Sequence, residues 1–250
     1  MKIKIAISIN TSWNFINFRL GLIKSLLNEG FEVIAIAPPD QASVKLKELG
    51  CTFIPIEISS RGKNPIKDLI LIYSYWKLLK RINPAYLLTF TIKPNIYGSI
   101  AARISGIPTI NNIAGLGEPF ARQGMLMILV SQMYKIALGG ATKIFFQNQE
   151  DMDIFVTRGI TPNTPIDRLP GSGINLNEFF FPDKISNGLK NKKIFLYASR
   201  LIWDKGIREF IHAAQKIKQS NCEVEFHILG PIADSTHQGP TLNEIKELEA

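Results

Sequence analysis

The chain has 250 residues, enough for one large domain or two smaller ones. Hydrophobic residues make up 46% and charged residues 20%, which excludes a disordered chain. The longest apolar run, "MLMILV" at 125–130, falls far short of the roughly 20 residues that span a bilayer. The net charge is +8, and eight cations against one acid (Asp68) concentrate +7 between residues 61 and 105. Such a field implies an anionic partner: nucleic acid, a phosphorylated substrate or acidic lipid. A solvated basic face is the alternative.

Strand and helix signals alternate along the chain. "IKIAISI" (3–9) reads as a buried strand, and "FRLGLIKSLLNEG" (18–30) as a helix with a glycine stop. "FEVIAIAP" predicts a strand, "ASVKLKELG" a helix and "CTFIPIEI" a strand. "NPIKDLILIYSYWKLLKRINP" predicts a helix that opens after Asn64 with Pro65 at its first position and stops before Pro84. Then come "AYLLTF" strand, "NIYGSIAARISG" helix, "IPTINNIAG" strand, "MLMILVSQMYKIALGG" helix, "TKIFFQN" strand and "QEDMDIFVTRG" helix. This order predicts a parallel sheet covered on both faces. The N-terminus alternates like a strand and lacks a signal-peptide core and cleavage site. With Cys51 and Cys222 far apart and without partner ligands, a reduced, cytosolic protein without a zinc site is expected.

A stretch rich in Gly, Asn, Pro and Lys (169–193) breaks the pattern. The expected domains are therefore 1–170, a hinge at 171–192, and a second unit at 193–250. In that unit "KIFLYAS" reads as strand, "GIREFIHAAQKIKQS" as helix and "EVEFHILG" as strand, and "TLNEIKELEA" as an unfinished helix. Two parallel strands do not make a stable open sheet alone, so the second domain is expected to be incomplete, the chain being C-terminally truncated. No short-period repeat or low-complexity tract is present.

In an open parallel sheet, ligands bind beyond the carboxyl ends of the strands. The turn "SRLIWDKG" lies at such an end and carries Arg200 and Lys205 before a helix. A guanidinium fork, a point charge and a helix N-terminus together suit a diphosphate. The alternative is a solvated Lys205 and an Arg200 paired with Asp204. "GLGEPF" (115–120) follows a strand, so Gly117 and its neighbours let backbone approach a ligand, with Glu118 the nearest acid; a plain turn is the alternative. His212 and His227 read as structural and His237 as part of a polar loop. Asp151 and Asp153 read as acids favoured by a helix N-terminus. No His, Asp, Glu or Cys cluster has metal-ligand spacing.

"SRLIWDKGIREFIHAAQKI", preceded by "LPGSGINLNEF" and followed by "FHILGP", resembles the donor-side half of GT-B glycosyltransferases, within the retaining, nucleotide-sugar-dependent group-1 (glycogen synthase-like) family. "NFRLGLIKSLLNEGFEV", "TFTIKPNIYGSIAARISGIP" and "NNIAGLG" are similar to the acceptor domain of enzymes that add N-acetylhexosamine to polyprenyl-diphosphate-linked saccharides in bacterial glycan assembly. The resemblance implies an α/β fold of two Rossmann-like domains facing a cleft, with "PGSGIN" near the hinge. It implies that Arg200 and Lys205 hold the donor diphosphate of a UDP-sugar, with Gly171, Ser199 and Gly230 near the nucleotide. Asn14, Arg19, Lys93, Asn95, Gly117 and Glu118 are the groups expected to meet the acceptor. The sequence departs from the family in three places. "NTSWNFINFR" (10–19) replaces a Gly-rich loop, with Trp13 and Phe15 adding bulk. Phe90 and Thr91 stand where many relatives carry a histidine. The later acidic motif, two Glu separated by seven residues, is missing. Members typically work without a bound metal.

Lys67, Lys77, Lys80 and Arg81 share a helix with aromatic and aliphatic residues, as in interfacial helices. They are expected to meet an anionic membrane surface on the cytoplasmic side, with Tyr75 or Trp76 at the rim. Two other readings are a nucleic-acid-binding module, which lacks stacked aromatics and zinc or helix-turn-helix signatures, and an inactive fragment that only binds a membrane or partner.

Overall fold

A computed structural model describes residues 2–59, 64–117, 120, 124–161, 163–179, 193–220, 223–232 and 239–249. The chain divides into two compact units, 1–179 and 180–250.

The first unit is a seven-stranded, wholly parallel sheet in the order β3-β2-β1-β4-β5-β6-β7. Its strands are β1 (Lys4–Ser8), β2 (Glu32–Ala37), β3 (Thr52–Pro55), β4 (Tyr86–Phe90), β5 (Thr109–Ile113), β6 (Lys143–Phe146) and β7 (Ile166–Arg168). β1 and β2 are almost continuously apolar and buried, as expected of strands covered on both faces. Their side chains alternate between two cores. Ile5, Ile7, Val33 and Ala35 face Phe15, Ile23 and Leu46, which come from α1 (Ser12–Phe18), α2 (Leu20–Asn28) and α3 (Ala42–Glu48). Ala6, Ile34 and Ile36 face the other core. That core is supplied by α4 (Pro65–Ile82), α5 (Ser99–Ile104), α6 (Met125–Leu138) and α7 (Gln149–Thr157). Phe155 of α7 is fully buried there, with its ring centroid 5.1 Å from Tyr134 and 5.3 Å from Phe146.

The α4 boundaries follow the sequence signals. The Asn64 side chain accepts from the N–H groups of Ile66 and Lys67, Pro65 occupies the first turn, and Asn83 closes the helix in the left-handed conformation. Two elements were not foreseen. Residues 12–18 form α1, not a loop. Thr11 caps this helix by accepting from the Asn14 N–H, and Phe15 disappears into the core instead of adding bulk at a mouth. β7 is only three residues long and pairs with β6, a contact that no local period announces.

In the second unit, β8 (Lys193–Ala198) and β9 (Val224–Leu229) pair in parallel, with α8 (Ile207–Gln219) between them in sequence and α9 (Leu242–Glu249) after them. Its core is small: Tyr197, Leu201 and Ile207 are buried, with Trp203, Phe210, Ile211 and Ile245 packed against them. The expected hinge, 171–192, lies mostly outside the described residues.

Candidate functional site

Strand order reverses between β1 and β4, since the chain leaves β1 toward β2 on one side and returns to β4 on the other. Beyond the carboxyl ends of such strands a crevice opens. Here it is a cavity of about 270 Å³ lined by Asn10 after β1, Thr91 and Lys93 after β4, and Ala114 and Gly115 after β5.

Most groups expected to meet an acceptor gather around this end of the sheet. The Asn14 amide donates to Asn10 Oδ1 at 2.7 Å, so it acts on the cavity through Asn10. Lys93 is not a free cation. Its Nζ is 2.7 Å from Asp68 Oδ1, and both side chains are mostly buried. Burial, reinforced by the neighbouring Asp68 carboxylate, pushes the Tyr97 hydroxyl well above its ordinary pKa, which keeps that group protonated. Asn95 is 1% exposed, and its amide is spent inside the fold: Nδ2 donates to Asn112 O, and Oδ1 accepts from Thr89 Oγ1. It shapes the cavity and has little left to offer a ligand. Gly117 is exposed on the loop after β5, in the left-handed region. Glu118 lies outside the described residues.

Arg19 sits at the junction of α1 and α2 and is buried. Its guanidinium lies 4.3 Å above the Phe90 ring, and Nη1 donates to Ser172 Oγ at 2.9 Å. Among the described residues no carboxylate pairs with it and its Nε has no partner; burial lowers its pKa from the ordinary value. Ser172 follows Gly171 in the loop after β7, so a contact between residues 153 positions apart joins "NFR" to "PGSG". Gln147, which no sequence signal singled out, lies 3.4 Å from both Ser172 Oγ and Asn112 Oδ1.

A second, larger cavity of about 700 Å³ runs between the end of β3 and α4. Ile54, Ile56, Ile70, Leu71 and Leu78 line it, with Lys67, Lys77 and Arg81 at its rim and Glu57 as an acid. Lys93 lines both cavities. None of Lys67, Lys77 and Arg81 has a carboxylate at ion-pair distance among the described residues, and Lys80 lies 5.8 Å from the Trp76 ring. Tyr75 does not reach the rim: it is fully buried and its hydroxyl meets Ser8 Oγ at 2.7 Å. The exposed apolar residues of α4 are Ile66, Leu69, Ile70 and Tyr73.

The second unit carries the cation turn. β8 ends at Ala198, a 3-10 turn spans Trp203–Lys205, and Gly206 adopts φ 80° before α8 begins. Only glycine takes that conformation at low cost, so Gly206 lets the chain swing from turn to helix. Arg200 and Lys205 are both exposed, and no ion pair joins Arg200 to Asp204 among the described residues. The Leu201 N–H donates to Pro231 O, and the Ser199 N–H to Leu229 O, which extends the strand pairing into the turn. A Cβ on Gly230 would collide with the Ser199 carbonyl, so glycine is required for this close approach. Glu209 is the acid in the first turn of α8. No helix among the described residues is long and apolar enough to cross a membrane, and no cluster of His, Cys, Asp and Glu there could hold a metal.

The sequence and fold resemble those of known proteins. The chain is 29% identical over 217 residues to a Campylobacter jejuni N,N'-diacetylbacillosaminyl-diphospho-undecaprenol alpha-1,3-N-acetylgalactosaminyltransferase, covering 81% of this chain and 57% of that protein. It is 25% identical over 196 residues to an Escherichia coli UDP-Gal:alpha-D-GlcNAc-diphosphoundecaprenol alpha-1,3-galactosyltransferase, covering 74% and 49%. The chain thus spans about half the length of the curated relatives it matches. The crystal structure of Anabaena Alr3699/HepE in complex with UDP and glucose superposes with a TM-score of 0.68 at 16% identity, covering 99% of this chain and 65% of that one. That likeness shows the fold, the α/β class of the GT-B glycosyltransferases. Residues 4–148, the whole switch-point region included, match the family described as glycosyl transferase 4-like, and the chain belongs to that family.

Proposed function

We propose that this chain carries the acceptor-binding unit and part of the donor-binding unit of a glycosyltransferase. It transfers a sugar, an N-acetylhexosamine in the reading favoured here, from a UDP-sugar to a polyprenyl-diphosphate-linked saccharide, with retention of configuration. The observation that carries the acceptor assignment is the cavity along α4. An apolar floor with Lys67, Lys77 and Arg81 at its rim, none of them ion-paired among the described residues, suits an amphiphile that joins an isoprenoid chain to a diphosphate. It also shares Lys93 with the switch-point cavity, where the reacting sugar belongs. The acceptors named for the two curated relatives are of this chemical class.

On the second unit, negative charge grows on the leaving diphosphate as the sugar–phosphate bond breaks. Arg200 offers two parallel N–H donors and Lys205 a compact charge, both exposed at the strand-end turn and free to meet a ligand. Cations held in place before the reaction need no reorganisation when the charge develops, which lowers the barrier. The proposal assigns this work to the two side chains and not to a resident metal.

The basic face of α4 favours the cytoplasmic surface of the membrane, where such acceptors expose their diphosphate. Each Lys or Arg near an anionic surface contributes about 1 kcal/mol, which suits reversible docking and not anchoring. The exposed Ile66, Leu69, Ile70 and Tyr73 add apolar contact beside Lys67, Lys77, Lys80 and Arg81.

The experiment is a transfer assay on the full-length protein with a panel of UDP-sugars and undecaprenyl-diphosphate saccharides. Product with one UDP-sugar and an α linkage is expected. No transfer to any lipid-diphosphate acceptor, with transfer to free sugars or release of free sugar only, would overturn the reading.

A further inference from the structure

The switch-point cavity is built on a residue in a disfavoured conformation. Thr91, the first residue after β4, has φ 67°. For a β-branched side chain that region is a steric outlier. The other described non-glycine residue with positive φ is Asn83, a residue type that tolerates the region and here only caps a helix. Thr91 is held in place from several sides. Its hydroxyl donates to Phe90 O, and its carbonyl accepts the Asn95 N–H at 3.0 Å. Residues Pro94–Gly98 then form a π-helical turn, a rare feature that often marks functional positions.

Below it lies a closed polar network. Thr89, Asn95, Ser99 and Asn111 are each at most 1% exposed. Asn111 Nδ2 donates to Thr89 Oγ1 at 2.6 Å and to Ser99 Oγ at 2.7 Å, and Thr89 Oγ1 meets Asn95 Oδ1 at 2.6 Å. A satisfied network in a dry interior fixes one chain path, and an unfavourable backbone conformation persists only where the surroundings impose it. Here the imposed path brings Thr91 and Lys93 to the cavity that Asn10, Ala114 and Gly115 also line.

We propose that Thr91 determines which acceptor sugar this cavity takes. The inference rests on the transferase reading and deepens it. The cavity, about 270 Å³, equals about nine waters at ~30 Å³ each, the scale of one sugar ring. Its lining sets Asn10, Thr91 and Lys93 beside Ile58, Ile92 and Ala114, and the Lys93 charge is met by Asp68, so it suits a sugar ring, with an apolar face and hydroxyl or acetamido edges, over a second phosphate. A threonine locked at this wall sets the width and angle at which the ring enters. A residue at ease in the left-handed region would relax that wall.

The test uses full-length protein with Thr91→Asn and Thr91→Gly, assayed against undecaprenyl-diphosphate N-acetylglucosamine and undecaprenyl-diphosphate N,N'-diacetylbacillosamine. Thr91→Asn keeps a side chain that tolerates the conformation, so its Tm rises by about 2–4 °C. In both variants acceptor kcat/KM falls at least roughly tenfold, the ratio of the two acceptors moves by roughly fivefold or more, and the donor KM stays within about twofold. A general structural role would lower acceptor and donor parameters together. An unchanged acceptor ratio, a parallel loss for donor and acceptor, or a Thr91→Asn Tm at or below wild type would each overturn the inference alone. A wild-type protein that uses neither these nor other lipid-diphosphate acceptors would overturn the transferase reading, and this inference with it.

Discussion

The two units treat the same element, a parallel strand followed by a helix, in opposite ways. In the first, β1 and β2 are sealed on both faces, and successive side chains feed two separate cores. In the second, β8 and β9 are covered on one face only among the described residues. Phe195, Tyr197 and Phe226 pack as a ring cluster with Phe210 of α8, whereas Leu196 and Leu229 on the other face are 58% and 65% exposed. Yet each unit places polar groups at its strand ends with local precision. The difference teaches that the geometry of a strand-end turn does not depend on a large core. In the first unit a buried polar network holds Thr91. In the second, backbone pairing through Ser199 and Leu201 and the close approach at Gly230 hold the cation turn.

This contrast can be broken or sharpened by experiment. The largest effect is expected in the first core. Phe155→Ala removes a fully buried ring from an aromatic cluster and should cost about 3–5 kcal/mol of stability, read as a lower denaturant midpoint. A loss below about 1 kcal/mol, the scale of an ordinary surface-like substitution, would show that this core is looser than its packing implies. Next come the donor cations. Arg200→Ala and Lys205→Ala should each lower transfer by roughly 10²–10³. Both side chains are exposed, so thermal unfolding should not change. Near-wild-type turnover in both variants would remove the turn from the site.

Hydrogen exchange then compares the units directly. Amides of β1, β2 and β4 should exchange at the rate of global unfolding. In this 250-residue chain those of β8 and β9 should exchange through smaller openings, because among the described residues few buried contacts restrain them. Equal protection would erase the contrast between the two sheets. The smallest effect belongs to the rim of α4. Lys77→Gln should weaken binding to anionic vesicles by about 1 kcal/mol, roughly fivefold, with more loss in low salt than in high salt. Changing Lys67, Lys77, Lys80 and Arg81 together to Gln should abolish most of the binding. Vesicle binding that ignores both lipid charge and this quadruple change would assign the basic face no membrane role.

Much of the fold was legible because its signals are local. Continuous apolar runs named β1 and β2, and Asn64, Pro65 and Pro84 marked the ends of α4 within the local sequence. The strand-to-helix turn with Arg200 and Lys205 was legible for the same reason: its parts lie within a few residues of each other. Side-chain burial on α4 was less so. An 18-residue helix with apolar residues around much of its circumference does not say which of Tyr73 and Tyr75 faces the sheet. The sheet chose Tyr75, which meets Ser8.

The sequence by itself determined the alternation of strands and helices, the covered parallel sheet that follows from it, and the family to which the motifs belong. Those properties come from periodicity, capping and short-range chemistry, all readable within a dozen residues. Only the tertiary structure decided what the candidate acceptor groups can do. It paired Lys93 with Asp68, committed the Asn95 amide to Thr89 and Asn112, and set Arg19 against Phe90 and Ser172. It also forced Thr91 into a conformation that its own side chain disfavours. Each of these depends on contacts between residues distant in sequence, where burial strengthens every satisfied hydrogen bond and penalises every unpaired one. Local propensity carries no information about such partners, and at Thr91 the surrounding packing overrides it.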